Sequence, residues 1–200
     1  DPYRGLEDLN SDQTQAWIIE QNRFTDSYLD DLIEQKEIKL LLEKIYNKEN
    51  QSVPFRRKSK IFTYYNNGTW QQSKLFYKET TADEKTLVID PNLLSVDGTV
   101  SIGSVSVSPN SELIAYSISD GGSDWKTWKI KHINSGNILK DTIQWSKFSN
   151  AEWAKDNSGF YYSGYSEPQK GDEYKELNRN QKLFFHTLGQ PQSNDQLIYE

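Results

Sequence analysis

The chain has 200 residues, a formal net charge of −6 and no cysteine. That composition excludes disulfides and thiolate metal sites. No apolar run approaches the roughly 18 residues of a membrane-spanning helix, and no basic stripe is interleaved with aromatics as nucleic-acid binding requires. The charge is unevenly spread: residues 1–50 hold six Lys/Arg against twelve Asp/Glu, residues 51–200 hold seventeen of each, and 21 of the 26 aromatics follow residue 50. The chain therefore divides into an acidic helical segment, 1–50, and a neutral, aromatic-rich β part, 51–200. With no Met at position 1, translation is expected to begin upstream of Asp1.

Asp1 to Leu9 reads as an extended lead-in, Pro2 keeping Asp1 out of the helical region. Asn10, with Gln13 three residues on, is the expected cap of a first helix that sets Trp17, Gln21, Phe24 and Tyr28 on one side. Asp31 and Glu34 are the expected capping pair of a second helix carrying Ile38, Leu41, Leu42 and Ile45. Both apolar stripes need a partner surface. Val53-Pro54 ends the helical part, and strands begin at Phe55.

The β part repeats. Val105-Ser-Val-Ser-Pro-Asn-Ser-Glu-Leu-Ile-Ala-Tyr-Ser117 reads as strand, turn, strand. Forty-six residues later Trp153–Ser163 has the same plan, placing Tyr162 under Tyr116. Fifty-two residues earlier Lys58–Tyr65 supplies the turn and second strand, placing Tyr64 under Tyr116. A further strand, Lys129–Ile133, stands 54 residues before Leu183–Thr187, and Leu75-Phe76-Tyr77 precedes both. A period near 50 built of several strands predicts propeller blades, each a small antiparallel sheet stacked on its neighbours. A plain β-sandwich is the alternative. The reading places Tyr64, Tyr116 and Tyr162 each in the second strand of its blade.

The connections carry turn chemistry. Arg56-Arg57-Lys58 with Lys60 is a solvated hairpin tip, and Asn67-Gly68-Thr69 is better read as a turn than as a glycosylation acceptor. Asp120-Gly-Gly-Ser-Asp124 leads into a strand over Trp125–Ile133, and the last strand of that blade ends near Ile143. A long polar insert, 166–181, interrupts the third blade as a functional or structureless loop.

Catalysis by a serine triad needs Gly-x-Ser-x-Gly on a strand-to-helix turn. Gly121-Gly122-Ser123-Asp124-Trp125 lacks the closing glycine and leads into a strand. His132 and His186 occupy matching positions in repeated strands, which favours packing over catalysis. No carboxylate pair or metal-ligand cluster stands out, so neither metal nor cofactor is expected.

Five segments in order carry a family likeness: Asp1-Pro-Tyr-Arg-Gly-Leu-Glu-Asp8, Asp90-Pro-Asn-x-Leu-Ser-x-Asp-Gly-Thr-Val100, Gly122-Ser-Asp-Trp125, Lys147-Phe-Ser149 with Trp153, and Asn180-Gln-Lys-Leu183 with His186-Thr-Leu-Gly189. They resemble the prolyl oligopeptidases along the whole chain; the related oligopeptidase B group is less similar at the second and third segments. The chain departs from the family pattern at Gly5, where Trp is usual, at Asn110-Ser111 and Asn157-Ser158 in place of Asp-Gly turns, and at Gly164, where Arg is common.

The resemblance implies a seven-bladed propeller capping an α/β-hydrolase peptidase domain. Residues 1–50 would pack on that domain, and 51–200 would form the first three blades. The catalytic serine, aspartate and histidine would lie in the C-terminal half, leaving these 200 residues inactive alone. The implied activity is hydrolysis of short peptides on the carboxyl side of proline, in the cytoplasm or alternatively the periplasm. Phe148 matches a substrate-lining phenylalanine, the competing expectation being a core residue. Asp124 and Trp125 match as strongly. Asp124 would meet a peptide's amino end or an arginine across the domain interface, or else cap its own turn. The insert 166–181 matches a loop near the interdomain opening. The alternative to an enzyme fragment is a stand-alone propeller-type interaction module.

Overall fold

A computed structural model describes residues 1–173 and 178–200 of the chain; four positions of the expected insert, 174–177, lie outside the described residues. Two units are distinct, one built on Asp1–Lys48 and one holding the sheets from Glu49 onward.

The first unit carries α1 (Asp12–Leu29) and α2 (Ile33–Tyr46). Neither cap falls where the pattern placed it. Ser11, not Asn10, caps α1: its Oγ accepts from Thr14 N at 3.2 Å, meeting one of the amide donors that a helix start leaves without a carbonyl. Asn10 instead donates its backbone N–H to Asp8 Oδ1. Leu32 stands at the cap position of α2 with no side-chain bond, so the Asp31–Glu34 pair does no capping. The apolar stripes are exposed, Phe24 at 72%, Ile38 at 55% and Leu41 at 56%. Stripes of this kind normally face a core.

The second unit holds three antiparallel sheets. In the first, β1 (Asn50–Gln51) and β2 (Phe55–Arg57) both pair with β3 (Lys60–Asn66), followed by β4 (Lys74–Glu79) and β5 (Thr86–Ile89). The second runs β6 (Ser101–Val107), β7 (Leu113–Ser119), β8 (Lys126–His132) and β9 (Ile138–Ser146). The third runs β10 (Glu152–Trp153), β11 (Gly159–Gly164), β12 (Lys182–Thr187) and β13 (Gln196–Tyr199). These are successive propeller blades, and Tyr64, Tyr116 and Tyr162 lie in β3, β7 and β11, the inner strands that follow the first hairpin turn.

The stacking explains why Leu113-Ile114-Ala115-Tyr116 is a continuous apolar run rather than an alternating one. Ile114 and Tyr116 pack into a cluster with Phe62, Leu75, Val88 and Ile89 of the first blade. Leu113 and Ala115 point the other way, into a cluster with Trp128, Ile143, Phe160 and Tyr162 shared with the third. A strand buried on both faces loses its polar alternation. Phe62, Ile114 and Phe160 occupy one repeat position and are all fully buried, each contributing about 1.5–3 kcal/mol by leaving water.

The first hairpin turns need left-handed backbone, supplied without glycine by Lys58 (φ 47°), Ser111 (φ 62°) and Asn157 (φ 62°). Asn157 rather than Ser158 thus holds the strained position of the third turn. Lys60, expected in a solvated cluster, is buried and paired with Glu79 at 2.5 Å. β9 continues to Ser146, three residues past Ile143, which proves decisive for the site below.

The repeat of the third strands shifts by one. Ile114 pairs with Lys131, and Phe160, its repeat equivalent, pairs with His186. Lys131 and His186 are therefore equivalent, 55 residues apart (186 − 131), and the 54-residue alignment of His132 with His186 is corrected. One residue of slip exchanges the faces of a strand: His132 is exposed while His186 is fully buried.

Candidate functional site

Lys131 and His186 both reach back to the preceding blade. Lys131 Nζ donates to Val88 O at 2.6 Å, and burial lowers its pKa. His186 sits between two carboxylates, Nδ1 2.7 Å from Asp195 Oδ1 and Nε2 3.1 Å from Asp141 Oδ1, both side chains 2% exposed. Gly189 N also donates to Asp141, and Tyr162 Oη donates to Asp195 Oδ2 at 2.8 Å. Burial alone would lower the pKa of His186. The hydrogen bonds and charges of Asp195 and Asp141 outweigh it, so the pKa stands above the usual 6.5. Each ring nitrogen faces a carboxylate oxygen, an arrangement that suits a structural cation whenever the ring is protonated. Among the described residues no group of His, Asp and Glu forms a metal site.

Ser123 does not stand on a strand-to-helix turn. Its loop runs strand to strand between β7 and β8, Ser123 Oγ accepts from Trp125 N at 3.1 Å, and Ser123 O accepts from Ser119 Oγ at 2.5 Å. Gly121 (φ 56°) and Gly122 (φ 73°) supply the left-handed turn. Asp124 is exposed on this loop.

The loop delivers Trp125 onto the segment leaving β9. Trp125 meets Trp145 edge-on at 5.4 Å and Tyr165 at 5.9 Å between ring centroids. Lys147 Nζ lies 3.6 Å from the Trp125 ring centroid. The Lys147 side chain also donates to Asn178 Oδ1 at 3.0 Å, and its backbone carbonyl accepts from Gln181 Nε2 at 3.0 Å. Lys147 as a whole is only 7% exposed. A cation–aromatic contact removed from water is worth about 2 kcal/mol.

Trp145 (φ 57°) and Phe148 (φ 51°) both have left-handed backbone, which costs about 1–3 kcal/mol at each such non-glycine residue and persists only where neighbours enforce it. The neighbours are identifiable. Tyr165 N donates to Trp145 O at 2.8 Å, and Gly164, where a Cβ would lie 3.3 Å from that oxygen, leaves room for the approach. Ser146, fully buried, donates to Ser163 O and accepts from Trp128 Nε1. Ser149 Oγ accepts from Ser163 N at 2.8 Å. Phe148 is bracketed by these ties, yet its side chain projects outward and the residue is 62% exposed. Within this chain the ring is not part of either hydrophobic cluster.

Sequence reasoning singled out Phe148, Asp124 and Trp125. The structure brings Trp125 against the residue preceding Phe148 and leaves Asp124 on the exposed loop. It missed Trp145, Lys147 and Tyr165 as a unit. Only the family-like Lys147-Phe-Ser149 segment signalled any of them. Among the described residues the assembly offers aromatic contact and a fixed cation.

A family description, prolyl oligopeptidase, N-terminal β-propeller domain, matches residues 1–200. The prolyl endopeptidase of Elizabethkingia meningoseptica is 38% identical over 99% of this chain and 28% of its own length. That of Dictyostelium discoideum is 30% identical, covering all of this chain and 32% of its own. Among solved structures, one from an analysis of two prolyl endopeptidases and their inter-domain dynamics superposes with a TM-score of 0.88 at 25% identity, over 100% of this chain and 30% of the other. Prolyl oligopeptidase B of Galerina marginata, bound to a 35mer hydrolysis and macrocyclization substrate, gives 0.79 at 27% identity over the same shares. The chain thus spans under a third of the length of these relatives. With the repeating blades, the helical lead-in and a match along every residue, the chain belongs to the prolyl oligopeptidase family, of which it carries the N-terminal propeller portion.

Proposed function

We propose that this chain is the access-controlling part of a serine peptidase that hydrolyses short peptides after proline. In this reading the three blades wall the substrate cavity, and the triad is supplied by an α/β-hydrolase domain on which the 1–50 segment packs. Phe148 contacts the peptide, and Asp124 and Trp125 stand beside it. The observation that carries the reading is Phe148: an aromatic 62% exposed on a backbone that its neighbours hold in the left-handed region. A flat ring offers apolar contact with few rotamers to freeze, and backbone strain of this kind collects at functional sites. The uncovered stripes of α1 and α2 support a domain partner for the first unit.

The test is Phe148→Ala in the complete protein. Turnover of a chromogenic Gly-Pro peptide should show kcat/KM lowered about tenfold, with the thermal midpoint shifted no more than an exposed residue warrants, about 0.5 kcal/mol. A loss of about 3–5 kcal/mol, as for a core phenylalanine, would show that the ring is packing.

A further inference from the structure

We propose that Lys147 is a positioning residue whose ammonium, held on the face of Trp125, fixes the presentation of Phe148. This rests on the reading of Phe148 as a peptide contact and adds to it the device that sets the ring. Lys147 does not meet the peptide itself. Its ammonium is committed to the Trp125 face at 3.6 Å and to Asn178 Oδ1 at 3.0 Å, and the residue is 7% exposed. Its backbone is pinned by Gln181 on one side, and Trp145, two residues earlier, is pinned by Tyr165. The left-handed step at Phe148 lies between the Lys147 anchor and the Ser149–Ser163 bond. A buried cation over an indole is a directional contact, so the Lys147 side chain acts as the stop that keeps the segment from relaxing to ordinary extended backbone. The dependence runs from loop to loop. Gly121 and Gly122 turn the β7–β8 connection, the connection places Trp125, Trp125 seats Lys147, and Lys147 sets Phe148.

The experiment uses the complete protein with Lys147→Met, Lys147→Arg, Asn178→Ala, Phe148→Ala, and Lys147→Met combined with Phe148→Ala. Lys147→Met keeps the stem and removes the charge. It is expected to raise KM for the Gly-Pro peptide about tenfold while kcat stays within about twofold, because binding geometry and not chemistry is altered. Lys147→Arg should restore KM to within about twofold, since a guanidinium also stacks on an indole. Asn178→Ala, at an exposed outer anchor, should give a smaller rise in KM of about two- to threefold and leaves folding untouched. In the Phe148→Ala background, Lys147→Met should add nothing, because the two act through one ring. An equal rise in that background would mean that Lys147 acts on the substrate directly, and an unchanged KM in the single variant would remove its role; either overturns the proposal. A second readout needs no turnover. Phe148→4-fluorophenylalanine should give one narrow ¹⁹F resonance that splits or broadens with Lys147→Met and sharpens again with Lys147→Arg. An unaltered resonance overturns the positioning claim. Absence of peptidase activity in the unmodified protein would instead count against the proposed function, with the ¹⁹F line still deciding Lys147.

Discussion

Replacing His186 with Leu should loosen the contact between the second and third blades. The substitution keeps the volume nearly constant and deletes the imidazole together with its bonds to both carboxylates. It leaves Asp141 and Asp195, each with a side chain 2% exposed, facing one another without a counter-charge. Their remaining donors, Gly189 N and Tyr162 Oη, satisfy part of each carboxylate but bring no positive charge. Removing one partner from a buried ionic group costs about 3–5 kcal/mol. Amide hydrogen exchange in β9 and β12 reads this opening locally and does not require the whole protein to unfold in one step. The exchange should accelerate by about two to four decades at one decade per 1.36 kcal/mol. Combining His186→Leu with Asp141→Asn and Asp195→Asn keeps the shapes and removes the charges, and should recover much of the loss.

The pH dependence has a defined sign. The folded pKa of His186 lies above its ordinary 6.5, so the cation stabilises fully below 6.5 and its contribution fades as pH rises through the folded value. The groups facing the ring are Asp141, Asp195 and, through Asp195, Tyr162, whose own pKa is raised first by burial and then by the hydrogen bond to Asp195 and its charge. Exchange corrected for its intrinsic pH dependence should therefore show a base-side loss of protection that His186→Leu lacks. If the triple variant were as unstable as the single one, or the base-side loss persisted without His186, the cluster would be holding the blades by shape and not by charge.

Two further outcomes follow from packing and charge elsewhere. Gly159→Ala would bring a Cβ to 1.9 Å from His186 O, backbone that cannot step aside, so β11 and β12 must separate locally; a loss of about 3 kcal/mol or more is expected in thermal unfolding, and a midpoint shift of only a degree or two would contradict it. Asp90 holds Lys74 at 2.6 Å and accepts from Asn92. Burial opposes its ionisation, but the Lys74 and Asn92 bonds prevail and lower its pKa, so its stabilisation is present above about 3.8 and lost as pH falls through the folded value. Asp90→Asn should cost about 1–3 kcal/mol near neutral pH and flatten the acid side of a urea-midpoint profile; an unchanged acid side would refute the assignment.

The architecture was legible because the strand repeats are written in apolar periodicity. Leu113–Tyr116 was readable as a strand from its apolar run, and the repeat of Tyr64, Tyr116 and Tyr162 located the inner strands correctly. The caps were less legible, because Asn10, Ser11, Asp31 and Leu32 sit within two residues of each helix start and only the backbone angles choose among them. The His132–His186 alignment slipped for a related reason: a sheet register is set by pairing, and a one-residue error is invisible in two short polar-flanked strands. Asp141 and Asp195 were unreadable as partners of His186, one lying 45 residues before it and the other nine after. At the candidate site, Phe148 was found through likeness to a family. Its left-handed backbone, and the way Trp125 and Lys147 enforce it, depend on loops distant in sequence that no local pattern records.

The third strands of the second and third blades occupy equivalent places, yet their backward-reaching groups speak different chemical languages. Lys131 seeks a main-chain carbonyl, which any strand could offer, whereas His186 requires two acidic side chains, one of them on the neighbouring sheet. Modules that look interchangeable are therefore individually addressed. Moved behind the first blade, the third would carry its histidine and Asp195 but leave Asp141 behind. A ring assembled from such units has its order of succession inscribed at the seams, so duplication or shuffling of a whole blade would demand new acceptors before the seam could close.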